Sequence, residues 1–510
     1  MQPQVGAIEE VSLETVGIQC GGTGGDRLVG QFVLSKSTSE IPEGWTVRSL
    51  GDWHLGCHPE LPITEIRGWG SGRIGWLLGH AVSPEGCLMH DSVQFPVSAE
   101  NPDAAAHFES TLYAHGGRFA AVCVAPWGNR LYLDPAGSLA AVFCRGQNTV
   151  ASSPALIRYT ESSGDNHDLV RALGMPDKDN WYPFGLTPRW SVERLTPNHY
   201  LDLDSWDTVR HWPNGDIASG GTPENAVREV ASLLKRNISA VAREREIHMA
   251  LTAGRDSRML LSCAREHLDR ARFFTLRVPT AQGRLDAHLA PKIAKRFGLS
   301  HVMLPMKPPL RQQLLERQGI IGNCVGGLDL AFLIALDRLD PRRVYLSGQA
   351  GDLERGPFWR YGGALPARIA AETLLERMAW CLDIEHVPEI EGRARRWLAG
   401  LPAGDPRMIL DLLYIEQRLG CWAGPLDYGV TSGPMLYPFC HRRIFELMLG
   451  LPADYRRQMR MARDLIAHEW PELLAFPFNW PIGVRKYWHF VKRRVQSIGK
   501  KLTRLVARGR

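Results

Sequence analysis

From Thr222 to Leu304 the chain alternates helix-period and strand-period segments across short polar turns, and few folds accept that order. Thr222 suits an N-cap and Pro223 the first helical position. Val227, Val230, Leu234, Ile238 and Val241 follow at spacings of three and four, which predicts an amphipathic helix. Strand-like Ile247 to Leu251 comes next, then helical Met259 to Leu268, strand-like Arg272 to Leu276, helical Asp286 to Phe297 and strand-like Val302 to Leu304. This alternation predicts a parallel sheet with helical crossovers. Beyond Pro366 the chain reads as largely helical.

The first two hundred residues read differently, as mostly β. Gly117 to Ala125 and Arg130 to Asp134 are apolar runs joined by the turn-like Pro126-Trp-Gly-Asn129, a predicted hairpin, and His199 to Leu203 is another strand candidate. The polar, Gly-rich stretch Asp207 to Thr222 is the expected linker. A chain of 510 residues is too long for one ordinary core, so two domains are expected. The net charge of +6 is concentrated at one end, since Arg485 to Arg510 holds ten Lys or Arg and no acid. The remainder is slightly acidic, which argues against a general nucleic-acid role. Ten scattered cysteines form no CxxC pair and no disulfide framework. With no signal-peptide pattern and no apolar run near the roughly 20 residues that span a bilayer, a reducing cytoplasm is the expected location.

Two segments carry recognisable chemistry. Leu251-Thr-Ala-Gly-Arg-Asp-Ser-Arg258 sits between a strand and a helix, where free N–H groups and the helix dipole hold anions. Gly254 permits close approach of the backbone to phosphate, and Thr252 and Ser257 supply hydroxyl donors. Asp256 repels phosphate by itself, so its sensible role is to hold magnesium against it. The segment lacks the Lys-Ser/Thr ending of a Walker loop. Val344-Tyr-Leu-Ser-Gly-Gln-Ala-Gly-Asp352 is a second strand, Gly-rich turn and acid. If both strands lie in one parallel sheet, Asp256 and Asp352 share one edge and one metal. Two unrelated loops with solvated aspartates are the plain alternative.

The pair LTAGRDSR and LSGQAGD resembles the pyrophosphatase loop SGGxDS and the SGEGADE segment of asparagine synthetases. Gly117-Arg-Phe-Ala120 with Leu131-Tyr-Leu-Asp-Pro-Ala-Gly137 is similar to the glutaminase-domain pattern of that family. Phe184-Gly185, Arg194 to Leu201, Pro438-Phe-Cys-His-Arg-Arg443 and Leu451-Pro452 continue the match in order, patchily, from about residue 115 to 475. The resemblance implies an α/β protein with an N-terminal β-rich Ntn-hydrolase-like domain and a C-terminal PP-loop ATP pyrophosphatase domain of the adenine nucleotide α-hydrolase-like type. Residues 1–206 would be a degenerate glutamine-amidotransferase-like domain, 207–222 the linker, 223–480 the ATP-binding synthetase domain and 481–510 a basic tail.

Departures shape the functional expectation. A working glutaminase of this family carries cysteine directly after the initiator methionine. Here Gln2 stands at that position and the first cysteine is Cys20, so ammonia supply from glutamine is not expected. Gln349 replaces an acid near the second substrate, and Ala253 replaces a loop glycine, which is costly if that position needs positive φ. The family lysine of an RxKE-like motif is missing where this chain reads Phe476 to Gly483, with Lys486 nearby.

The implied activity is ATP-dependent amide-bond formation, in which a carboxylate becomes an acyl-adenylate, pyrophosphate leaves, and an amine takes the acyl group. Thr252, Gly254, Asp256 and Ser257 would hold pyrophosphate, Leu251 and Leu276 would offer backbone contacts to adenine, and Ser347 and Gly348 would face the sugar or phosphate. Asp256 and Asp352 would bind magnesium. ATP and Mg2+ are the implied cofactors, and a small-molecule or peptide carboxylate and an amine the implied partners. β-Lactam synthetases and lasso-peptide cyclases also lack the nucleophilic cysteine, and other relatives amidate cell-surface glycans. A nucleotide-binding pseudoenzyme is the reading outside the class, and no catalytic side chain is assigned. His54, Cys57 and His58 lack a second ligand cluster for zinc. The stretch Gly21 to Gly25 reads as a flexible loop, and Glu416 and Arg418 read as a helical ion-pairing set or substrate contacts. In the tail, Val491, Val495, Ile498, Leu502 and Leu505 recur at helical spacing among Lys and Arg. That pattern suits an anionic membrane surface or acidic protein partner, or a docked C-terminal helix.

Overall fold

The computed structural model describes residues 28–478 apart from 71, 99, 216, 218–220, 361–364, 380, 383, 385–386, 403 and 431–432. The expectations on Gln2, Cys20, the glycines 21–25, Lys486 and the basic tail lie outside the described residues. The protein is mixed α/β, with three sheets among the described residues.

Two of the sheets build the first half. A seven-stranded sheet runs Thr208–Arg210, His199–Asp202, Gly128–Leu133, Gly116–Ala125, Gly72–Val82, Ile63–Trp69, Ser92–Ser98. The expected hairpin is its centre, with Ala125 opposite Gly128 and Ala120 opposite Leu133. Gly116–Ala125 is apolar apart from Arg118 because both faces are covered. Phe119, Ala121 and Cys123 pack with Ala104, Phe108 and Leu112 of the helix Ala104–Leu112. Ala120 and Val122 share a core with Phe32, Leu34, Trp53 and Leu55 of the six-stranded antiparallel sheet. The layers are therefore helix, sheet, sheet. Thr208–Arg210, expected in the linker, instead extends the larger sheet by pairing with His199–Leu201. Three residues are too few to show a strand period.

The second half is the predicted parallel sheet, ordered His301–Pro305, Ala271–Arg277, Ile247–Ala250, Val344–Leu346, Met435–Leu436. The helix Pro223–Glu244 leads in, its N-cap Thr222 accepting from the Asn225 N–H at 3.3 Å. Arg255–Cys263 and Ala281–Phe297 are the crossovers. The first begins four residues before the predicted Met259, because its opening turn is polar. The chain starts in the middle of the sheet, works outward on one side, then returns to the other. The reversal falls between Ile247–Ala250 and Val344–Leu346, a topological switch point. No helix among the described residues is long and apolar enough to cross a membrane.

The halves are joined by backbone and by buried charge. The Gly117 N–H donates to the Cys440 carbonyl at 2.8 Å, and Gly116 bridges His441. Asp134 accepts from the N–H groups of Phe119, Ala136, Ser138 and Leu139, from the Ser138 hydroxyl and from the Cys440 thiol. Asp427 lies in the same seam, accepting from the Tyr437 hydroxyl, with Arg118 Nε at 3.7 Å and the Asp134 carboxylate near. Burial pushes the Asp427 carboxyl up to about 7, against the pull of Arg118 and Tyr437. The folded protein thus holds a proton that the unfolded chain releases near 3.8. The stabilisation this gives is complete below that value and is lost as pH rises towards 7, by up to about 4 kcal/mol. Asp427→Asn is expected to flatten the pH dependence of the urea midpoint between pH 5 and 8. An unchanged slope would show that this carboxyl does not titrate in the window.

Candidate functional site

The switch point brings the two Gly-rich segments together. Ile247, His248 and Met249 register with Val344, Tyr345 and Leu346, so the turns that follow both strands leave the same edge side by side. In the first turn Gly254 is the N-cap of Arg255–Cys263, and no side chain caps the first N–H groups. Thr252 Oγ1 accepts from the Gly254 N–H at 2.9 Å and lies 2.7 Å from Ser257 Oγ, so the two hydroxyls form one cluster at the helix start. The Ala253 N–H donates to Asp286 at 2.8 Å. Ala253 does not take a positive φ, so the strain expected from replacing glycine there is absent. It falls in the second turn, where Ala350 stands at φ 68°, a conformation costing a side chain about 1–2 kcal/mol.

The second turn packs directly on the first. A Cβ on Gly348 would lie 3.4 Å from the Asp256 Cβ, and one on Gly351 would lie 2.9 Å from the Phe439 ring and 3.1 Å from the Asp256 Cβ. Glycine at 351 is thus what allows the turns to touch. Ser347 Oγ accepts from the Gln349 N–H at 3.4 Å.

Arginines dominate the charge. Arg355 makes a bidentate pair with Asp256, at 2.7 and 3.0 Å, and its guanidinium lies 3.9 Å from Asp352. Asp352 also accepts from the Tyr414 hydroxyl. Arg258, fully buried, donates to the carbonyls of Ala253 and Gly254 and to those of Phe476 and Pro477, with Phe478 under its guanidinium at 3.8 Å. Burial, with the charge of Arg255, pulls Arg258 down to about 9. This clamp sets residues 476–478, where the segment that the resemblance aligns with the lysine motif begins, against the first turn.

The two carboxylates expected to hold magnesium are brought to one edge, with a guanidinium beside both. Magnesium demands a near-octahedral set of oxygens. Both Asp256 oxygens are engaged by one guanidinium, which also neighbours Asp352, so an organic cation already lies between the carboxylates. Among the described residues no group of three His, Cys, Asp or Glu side chains is placed to hold a metal ion. As the side chains stand, Arg355 pairs with Asp256 and neighbours Asp352 where the resemblance puts magnesium.

Other expected residues fare unevenly. The Leu251 N–H donates to the Phe274 carbonyl and its own carbonyl accepts from the Thr275 hydroxyl, so sheet and side chain already use this backbone. The Leu276 carbonyl accepts from the Val278 N–H in a tight turn. Glu416 is fully buried and binds Arg210, Asn198 and the Trp397 indole, while Arg418 stacks on Trp181 and Trp422; both are structural contacts. His54 bonds Ser49, and Cys57 belongs to the core. Sequence reasoning missed Arg355, Arg258, Asp286 and Tyr414. Arg258 sits inside the quoted loop and Arg355 three residues after Asp352, so charge inside the motif was the available signal. Compared with known proteins, the chain matches no family model and no curated sequence.

Proposed function

We propose that the chain binds ATP where the two turns meet and uses it to join a carboxylate to an amine. On this reading the first half is an Ntn-hydrolase-like domain and the second a PP-loop, adenine nucleotide α-hydrolase-like domain. One observation carries it: a hydroxyl-bearing, uncapped helix start and a second Gly-rich turn packed together at the switch point of a parallel sheet, where such sheets bind nucleotides. The substrate carboxylate oxygen attacks the α-phosphorus, the bond to pyrophosphate breaks, and an acyl-adenylate forms. The amine nitrogen then attacks the acyl carbon, AMP leaves, and the amine loses a proton. Thr252, Ser257 and the first-turn N–H groups receive the pyrophosphate. Arg355 supplies positive charge beside it.

The same ion pair supports a second reading, nucleotide binding without turnover, since Arg355 stands where the resemblance calls for a metal. Incubation with ATP and pooled carboxylates (aspartate, uronic acids, acidic peptides), following AMP and pyrophosphate, separates the two. Under the ligase reading one pool stimulates pyrophosphate release at least tenfold, and Asp256→Ala abolishes the stimulation. ATP binding with no release from any pool would favour the second reading. No ATP binding would sink both.

A further inference from the structure

A cavity of about 320 Å³ lies away from these turns, where the strand Glu193–Leu195 and the turn at Phe184 and Gly185 face the helix Pro388–Ala399. Its size is at the low end of small-molecule pockets. Four arginines line it. Arg210 pairs with Glu416 at 2.6 Å and Arg393 with Glu193 at 2.6 Å. Arg194 and Arg396 find no carboxylate within ion-pair distance among the described residues.

Arg194 is the informative one. It is 3% exposed, its Nη2 donates to Cys324 Sγ at 2.9 Å, and its Nε and Nη1 have no acceptor among the described residues. Burial pushes the Cys324 thiol up, so the sulfur is neutral and leaves the charge unbalanced. A buried charge without a counterion costs several kcal/mol and is seldom kept without a use. Gln417, fully buried on the same wall, likewise has no acceptor for its Nε2. Its Oε1 accepts from the Phe184 N–H at 2.5 Å and so holds Phe184 at φ 55°, a conformation rare for a bulky side chain. Donors short of acceptors, unbalanced positive charge and a strained wall meet at one cavity.

We propose that this cavity binds a small oxyanion, a carboxylate or a phosphate, balanced by Arg194 and Arg396 and hydrogen-bonded by Arg194 and Gln417. Arg194 lines the cavity while its Nε and Nη1 are buried, so the anion seats with a rotation of that side chain towards the opening. The site is independent of the ATP reading.

The test is the melting temperature of the full chain titrated with succinate or phosphate at constant ionic strength. At least one should raise it saturably, and that response should persist in Thr252→Ala, which separates it from the phosphate-binding turns. A response to succinate alone assigns a carboxylate, and to phosphate alone a phosphate. Arg194→Met should weaken the response at least tenfold, yet be no less stable than the parent in oxyanion-free buffer, because it removes an unbalanced charge. Gln417→Leu should weaken the response too, and tests the site without touching the arginine. No saturable response, an equal response in the variants, or loss of stability on Arg194→Met in oxyanion-free buffer would overturn the proposal. The last outcome would mean that the fold itself already compensates the guanidinium.

Discussion

Arg355→Met is expected to weaken ATP binding at least tenfold without magnesium, and added magnesium should restore part of the loss. The first effect follows from removing the cation beside the phosphates, about 1.4 kcal/mol or more. The second follows from what is left behind. Asp256 loses both its bonds and Asp352 its neighbouring charge, so two carboxylates become free to take a divalent ion. The parent should bind ATP in EDTA with little change. Equilibrium dialysis of both proteins with and without magnesium measures all four affinities. A parent that needs magnesium, or a variant indifferent to it, would remove Arg355 from the role of resident cation.

The largest effect on stability is expected at Arg456. It is 2% exposed and forms a bidentate pair with Asp411, at 2.6 and 2.9 Å, while its Nη2 donates to the Leu353 carbonyl at 2.7 Å. Asp411 also accepts from the Trp359 indole at 2.9 Å. Truncating one member leaves a carboxylate buried and short of its partner, a loss of roughly 3–5 kcal/mol. Arg456→Met should therefore lower the urea midpoint steeply. Arg456→Met combined with Asp411→Leu should recover much of the loss, since no charge is then stranded. Because Leu353 sits between Asp352 and Arg355, the single variant should also bind ATP more weakly than its folded fraction accounts for.

How much of this was legible beforehand depended on the range of the signal. Short-range patterns were readable, as with the cap at Thr222, the helix after it, the strand–helix alternation and the Gly117 to Asp134 hairpin. Each rests on period or turn chemistry within a few residues. The meeting of the two turns was legible only as a conditional, because Leu251 to Arg258 and Ser347 to Asp352 lie about ninety positions apart and only the sheet order makes them neighbours. What pairs with what was not legible. Asp256 reads equally well as a metal ligand or an ion-pair partner, and its pairing with Arg355 comes into view only once Gly351 lets the turns touch. Glu416 read as one of a helical ion-pairing set or a substrate contact, and it does pair, but across the seam with Arg210, whose strand lay in the expected linker.

The segment Tyr414–Ala423 is wound as a π-helix, in which each N–H reaches back five residues instead of four. Tyr414, at its start, bonds Asp352 beside the turns. Glu416 and Gln417, scarcely a turn later, bond Arg210, Asn198 and the Phe184 backbone in the other half. Deleting the residue between Tyr414 and Glu416 would turn the later side chains about the helix axis relative to Tyr414, since each residue of an ordinary helix subtends about 100°. One end or the other would then lose its partners. Related chains should therefore vary freely in length across their surface loops while keeping a fixed residue count through this stretch, which acts as a gauge block between the two halves.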